Sequence, residues 1–154
     1  DRIHRVNAKG VFFCLQGAAK QMIEQNNGGR IINIASIAGR GFVGTSNAAY
    51  SASKGAVISL TKTAAQQLAR HDITVNSICP GVTTTEIVED LVKARAEAKG
   101  ISLDDMVKEM TDNIPLKRAN DPEDIAAMAI FLASKGARNI TGQSYNVDGG
   151  LVTS

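Results

Sequence analysis

One stretch, Arg30 to Lys54, constrains this chain more than any other. Arg30–Ala35 is a short β-branched run bounded by Gly28-Gly29 and Gly39, the pattern of a buried strand. The strand stops at Ser36, a glycine-rich loop follows, and an alanine-rich helix is predicted from about Asn47 to Arg70. Tyr50 and Lys54 lie four residues apart on that helix and therefore share one face. A hydroxyl at a strand's carboxyl end, facing a Tyr/Lys pair on the next helix, is a candidate proton-transfer site. Ligands of open α/β sheets bind in the crevice at that end.

The remaining segments repeat this alternation. Residues 1–25 carry a helical period through Ile3, Val6, Gly10, Phe13, Gly17, Met22 and Ile23, and Asn26-Asn27-Gly28-Gly29 stops it. Asn7 lies inside this helix, either facing solvent or aimed into the site. Ile73–Cys79 reads as a second buried strand ended by Pro80-Gly81, with the hydroxyls of Val82-Thr83-Thr84-Thr85 just beyond. The charged stretch 86–110, broken at Gly100, reads as one or two short helices within a substrate lid over about 86–116. Asp121-Pro122-Glu123-Asp124 is a helix start, with a capping Asp, Pro at the first position and acids in the first turn. A third strand is predicted over Gln143–Val147, closed by Asp148-Gly149-Gly150, where a structural turn is expected. Strands alternating with helices imply right-handed crossovers and an α/β, doubly wound, mostly parallel, Rossmann-like sheet.

The 154 residues suit a single domain that buries roughly 70% of its unfolded surface. Seventeen basic residues against 15 acidic ones leave a formal charge of +2, too small and too evenly spread for a nucleic-acid partner. No apolar run approaches the ~20 residues of a membrane span. Cys14 and Cys79 read as isolated thiols in apolar surroundings, which fits a reduced, cytoplasmic compartment better than a disulfide framework. Two histidines, His4 and His71, support neither a metal site nor a triad. The chain opens in a helical pattern without Met, and three strands make a poor sheet alone. An absent amino-terminal part is therefore expected.

Ser36, Tyr50-Ser51-Ala52-Ser53-Lys54, Asn76-Ser77-Ile78-Cys79-Pro80-Gly81 and Val147-Asp148-Gly149-Gly150, in this order and on these elements, resemble the short-chain dehydrogenases/reductases. The resemblance covers nearly the whole chain but corresponds to the carboxyl-terminal portion of such a subunit. The family's T-G-x-x-x-G-x-G cofactor fingerprint and its N-N-A-G motif are absent from these residues. It implies an NAD(P)-dependent oxidoreductase interconverting a secondary alcohol and a ketone, with NAD or NADP as cofactor. Tyr50 resembles the general acid/base, and Lys54 would favour its tyrosinate by proximity of charge and hold the nicotinamide ribose. Ser36 resembles the residue that hydrogen-bonds the substrate oxygen, and Asn7 the helix asparagine that positions a relay water. Pro80 and Gly81 resemble the nicotinamide-lining stretch. Thr85 resembles the threonine that contacts carboxamide or phosphates, and Thr83 stands where the family more often carries an aliphatic residue.

Other readings of the same letters are weaker. Gly39-Arg40-Gly41-Phe42-Val43-Gly44 matches G-x-G-x-x-G, but the acidic residue expected about 20 positions on is missing. The loop 40–46 reads better as a substrate-side loop. Ser51-Ala52-Ser53-Lys54 is an S-x-x-K acyl-transfer motif without its S-D-N and K-T-G companions. The alternative of another class is a non-catalytic structural or assembly fragment. Small residues Ala48, Ala52, Ala56, Ser59 and Thr63 on the 47–70 helix give a self-associating face, hence an expected homodimer or homotetramer. The remaining partner is a small-molecule alcohol or carbonyl substrate, with no nucleic acid and no membrane.

Overall fold

A computed structural model describes residues 2–44 and 47–153, the side chain of Ile87 excepted. The β-branched runs form three strands: β1 (Gly29–Ile34), β2 (Ile73–Pro80) and β3 (Ser144–Val147). They pair in the order β1-β2-β3, both ladders parallel. In register, Gly29 stands opposite Ile73, Ile34 opposite Ile78, and Pro80 opposite Val147. Parallel pairing requires a crossover between successive strands. Helix α3 (Ala48–Leu68) supplies the first, and α4 (Glu86–Lys99), α5 (Leu103–Thr111) and α6 (Pro122–Ala133) lie in the second.

Alternation along the strands assigns the two faces. Ile31, Ile73 and Val75 point to one side and pack with Leu15 and Ala19 of α2 (Val11–Gln25) and Ala64, Ala65 and Leu68 of α3. Ile78 points to the other side, with Ile32 beside it, and meets Leu132, Ile125 and Met128 of α6. Helices on both faces of a parallel sheet make the architecture doubly wound, as the alternation of elements requires. The stretch read as a lid forms two helices on either side of Gly100, which sits left-handed at φ 66°. They bury Val92, Ala96 and Met106 in a small cluster of their own.

Local chemistry explains where the elements begin. Asn47 caps α3, its Oδ1 accepting from Tyr50 N at 3.0 Å. Thr85 and Ser102 cap α4 and α5, and Asp124 accepts from Asp121 N at 2.9 Å at the start of α6. Asn26, left-handed at φ 52°, closes α2.

Two expectations change. The amino-terminal helix is not one regular element: a turn α1 (Arg2–His4) passes into a π-helix over Arg5–Gly10 before α2 begins. Cys14 is not in apolar surroundings but exposed, on the side of α2 away from Leu15 and Ala19, whereas Cys79 is wholly buried.

The 3₁₀ turn after β1 packs directly against the backbone of α3 at Gly39. A Cβ at residue 39 would lie 2.6 Å from the Lys54 carbonyl carbon and 2.8 Å from Gly55 N. Both are backbone atoms that cannot yield without moving the helix. The Gly39–Gly44 run thus serves packing at its first glycine. Gly39→Ala should cost about 1–3 kcal/mol, read as a lowered urea midpoint with unchanged m-value.

Candidate active site

The carboxyl ends of β1 and β2 open into a cleft of about 380 Å³, facing α4 across it. Ser36, Tyr50, Lys54, Pro80, Gly81, Thr83 and Thr85 all line it. The structure therefore brings together every sequence-predicted site residue except Asn7.

Ser36 follows the last residues of β1 in extended conformation, 7% exposed. Its Oγ accepts from Ala38 N at 3.1 Å, capping the 3₁₀ turn Ile37–Arg40. A hydroxyl that accepts one bond keeps its proton to donate. Half-buried Tyr50 sits in the first turn of α3, and Lys54 lies one turn on with Nζ 5.7 Å from the Tyr50 ring centroid. That separation is within cation–π range. The same Nζ donates to Ile34 O at 2.9 Å, the last carbonyl of β1.

Asn7 stands one step back. Its Nδ2 donates to Ser53 Oγ at 3.1 Å, and Ser53 Oγ donates to Tyr50 O at 2.7 Å. Ser53 is fully buried. The bridge runs from the π-helical segment to the turn that carries Tyr50, so Asn7 is oriented toward α3 rather than into the cleft. Ser53 was in view in the sequence, three residues after Tyr50. That spacing is the signal for a bond back to the i−3 carbonyl.

The far wall is held by polar side chains that carry no periodic signal. Gly81 N donates to Val147 O at 2.8 Å, and a Cβ on Gly81 would lie 2.7 Å from Asp148 Cβ. Asp148 spends both carboxylate oxygens on Gly150 N and Val152 N, the structural turn expected of it. Asn120 N donates to Val82 O, Thr84 N to Asn120 O, and Asn120 Nδ2 to Val147 O. Asn120 was not foreseen: an isolated loop asparagine has no pattern to reveal it. Along 81–85, Gly81, Val82, Thr83 and Thr85 line the cleft, while Thr84 lines an adjoining apolar cavity between α4 and α5 that shares Val82, Val88 and Met110 with it. Thr83 Oγ1 donates to Gly81 O at 3.3 Å, and Thr85 Oγ1 accepts from Val88 N at 3.4 Å. The lid adds Val88, Leu91 and Arg95 of α4 and Met110 of α5. The loop 40–46 reaches the cleft at Gly44, and its Thr45 and Ser46 lie outside the described residues.

Two groups beside the cleft titrate away from their ordinary values. Burial pushes the Cys79 thiol up from 9.0, opposed chiefly by the Arg40 guanidinium. It is therefore uncharged at neutral pH. Burial also lowers Lys54 from 10.5, opposed by the charge Cys79 acquires in base.

A family model described as enoyl-(acyl carrier protein) reductase matches residues 1–152. The chain belongs to this family, within the short-chain dehydrogenases/reductases. It is 41% identical over 152 residues to human (3R)-3-hydroxyacyl-CoA dehydrogenase, covering 98% of this chain and 53% of that protein. Identity is 44% over 152 residues to 3-oxoacyl-[acyl-carrier-protein] reductase FabG of Staphylococcus epidermidis, covering 98% and 57%. Among solved structures, sorbitol-6-phosphate 2-dehydrogenase SrlD from Erwinia amylovora superposes with a TM-score of 0.90 at 37% identity, over 100% of this chain and 60% of that one. The chain thus spans little more than half the length of its curated relatives.

The Lys54 shift has a testable sign. Its folded value lies below the unfolded one, so between the two the unfolded chain binds more protons, and stability rises with pH through that window. Lys54→Met should remove this rise. In paired urea titrations, wild type should gain stability relative to the variant as pH is raised toward 10.5.

Proposed function

We propose that this chain forms the catalytic, carboxyl-terminal portion of an NAD(P)-dependent oxidoreductase that interconverts a secondary alcohol and a ketone. The observation that supports it is the convergence of Ser36, Tyr50 and Lys54 on one cleft at the carboxyl edge of a parallel sheet, beside the backbone of Pro80 and Gly81. Two of the relatives, a 3-oxoacyl-[acyl-carrier-protein] reductase and a (3R)-3-hydroxyacyl-CoA dehydrogenase, belong to the same reaction class.

The cleft suits the nicotinamide end of the nucleotide. Lys54 Nζ gives one proton to Ile34 O and, as an ammonium with three donors, has two left for ribose hydroxyls. Pro80, Gly81, Thr83 and Thr85 offer backbone and hydroxyl groups along one wall. A nicotinamide nucleotide bound there supplies or accepts the hydride. Ser36 Oγ donates its free proton to the substrate oxygen and fixes the carbonyl opposite Tyr50. In reduction Tyr50 gives its phenolic proton to that oxygen, so hydride and proton together make the alcohol; in oxidation it takes the proton back. Asn7 acts through Ser53 as a positioning residue, holding the turn that carries Tyr50 rather than touching substrate.

Homo-oligomerisation as a dimer or tetramer belongs to the same reading. Ala48, Ala52, Ala56, Ser59 and Thr63 of α3 are all exposed, and Val6 and Phe13 are 61% and 54% exposed on the neighbouring amino-terminal segment. Small side chains let two copies approach closely, and the flanking apolar groups give them area to bury. A cytoplasmic location is proposed with it.

Tyr50→Phe in the full-length protein should lower kcat by about 10²–10⁴-fold, with nucleotide affinity and urea midpoint close to wild type. Near-normal turnover would remove Tyr50 from the chemistry. Ala56→Glu, a charge in the small-residue face, should shift the light-scattering mass to the monomer; an unchanged mass would place the contact elsewhere.

A further inference from the structure

We propose that Arg95 makes this site select carbonyl substrates that carry an anionic group, a carboxylate or a phosphate, at the far end of an apolar segment. The inference rests on the oxidoreductase reading above and names its substrate class.

Charge in the cleft is one-sided. Its ionisable lining groups are Tyr50, Lys54 and Arg95, with no aspartate or glutamate among the lining residues. Lys54 is engaged, its ammonium on Ile34 O and close to the Tyr50 ring. Arg95 has no such commitment. The salt bridges among the described residues are Lys93 with Asp90 and Lys99 with Glu109. Helix spacing gives Arg95 no acid either: the neighbours three and four positions away are Leu91, Val92, Ala98 and Lys99.

Position along α4 gives the substrate its order of groups. Val88, Leu91 and Arg95 fall at i, i+3 and i+7, one stripe of the helix, and all three face the cleft. At the α-helical rise, Arg95 lies about 10 Å along the axis beyond Val88. A substrate whose carbonyl sits between Ser36 and Tyr50, extending along α4, first meets two aliphatic side chains and then a guanidinium. A guanidinium binds carboxylate and phosphate through paired, charge-assisted hydrogen bonds. An uncharged substrate tail would leave it with water alone.

The same cation could instead meet a phosphate of the nucleotide, and the test separates the two. The full-length protein, Arg95→Ala and Arg95→Lys are assayed for nucleotide-dependent reduction of methyl ketones, oxo acids and oxoalkyl phosphates of matched chain length. Nucleotide Kd is read from nicotinamide fluorescence. The ratio of kcat/KM for anionic over neutral ketones should fall by roughly 10–100-fold in Arg95→Ala, through KM. It should recover in part in Arg95→Lys, with nucleotide Kd unchanged. Whether the oxo acid or the phosphate loses more identifies the anion. An unchanged ratio, or a loss shared equally by all substrates with a weakened nucleotide Kd, overturns the inference and leaves the oxidoreductase reading standing. No turnover with any ketone overturns both.

Discussion

One hydrogen bond joins the two halves of the candidate site: Lys54 Nζ to the carbonyl of Ile34. The carbonyl ends β1, and the ammonium comes from the helix that follows. The bond fixes how far α3 sits from the end of β1. Gly39 sets the same distance from below, since any side chain there would push Lys54's own backbone away. With the spacing fixed, Ser36 at the strand end and Tyr50 one turn before Lys54 must open onto the same space. The cost is an ammonium held in partly dry surroundings, which appears as its lowered proton affinity.

The opposite wall is built on the same logic with other polar side chains. A buried polar side chain costs stability unless its groups are bonded. Asn76 spends Oδ1 on Gln143 N and Nδ2 on Ile140 O, steering the chain into β3. Asn120 ties residues 82–84 to the end of β3, and Asp148 closes the turn after it. Because these side chains take up the backbone bonding on the protein side, the cleft-facing side of Pro80 to Thr85 stays available to a ligand.

Much of this was legible in the sequence. Strands showed as β-branched runs, their ends as Ser36 and Pro80-Gly81, and the lid's two helices as a charged stretch broken at Gly100. Periodicity failed where the backbone left the regular helix. A π-helical segment from Arg5 to Gly10 shifts the phase of every face argument across it, so the direction of Asn7 could not be read from its apolar neighbours. Cys14 failed for a related reason: Phe12, Phe13 and Leu15 flank it in sequence, yet only Leu15 among these is buried. Asn120 lies in a loop, where contacts across 27 or more residues leave no local trace. Arg95 looked like one charge among many until α4 was placed against the cleft.

The lid's independence from the rest follows from where its apolar residues go. Val92, Ala96 and Met106 bury against one another, with Val88, Ile101 and Met110 around them, rather than joining either sheet-facing cluster. A unit with its own small core can change its cleft-facing residues without disturbing the sheet. The converse holds as well, because Ser36, Tyr50 and Lys54 are positioned by β1, α3 and Gly39 and take nothing from α4 or α5. On the proposed reading, the proton chemistry therefore sits on the sheet and α3, and the groups that would meet the rest of the substrate sit on a satellite with few ties to them. Such satellites open at lower free energy than core strands. Movement of α4 would carry Val88, Leu91 and Arg95 together, so on the proposed reading contact with a substrate's tail and closure over its carbonyl would be the same event.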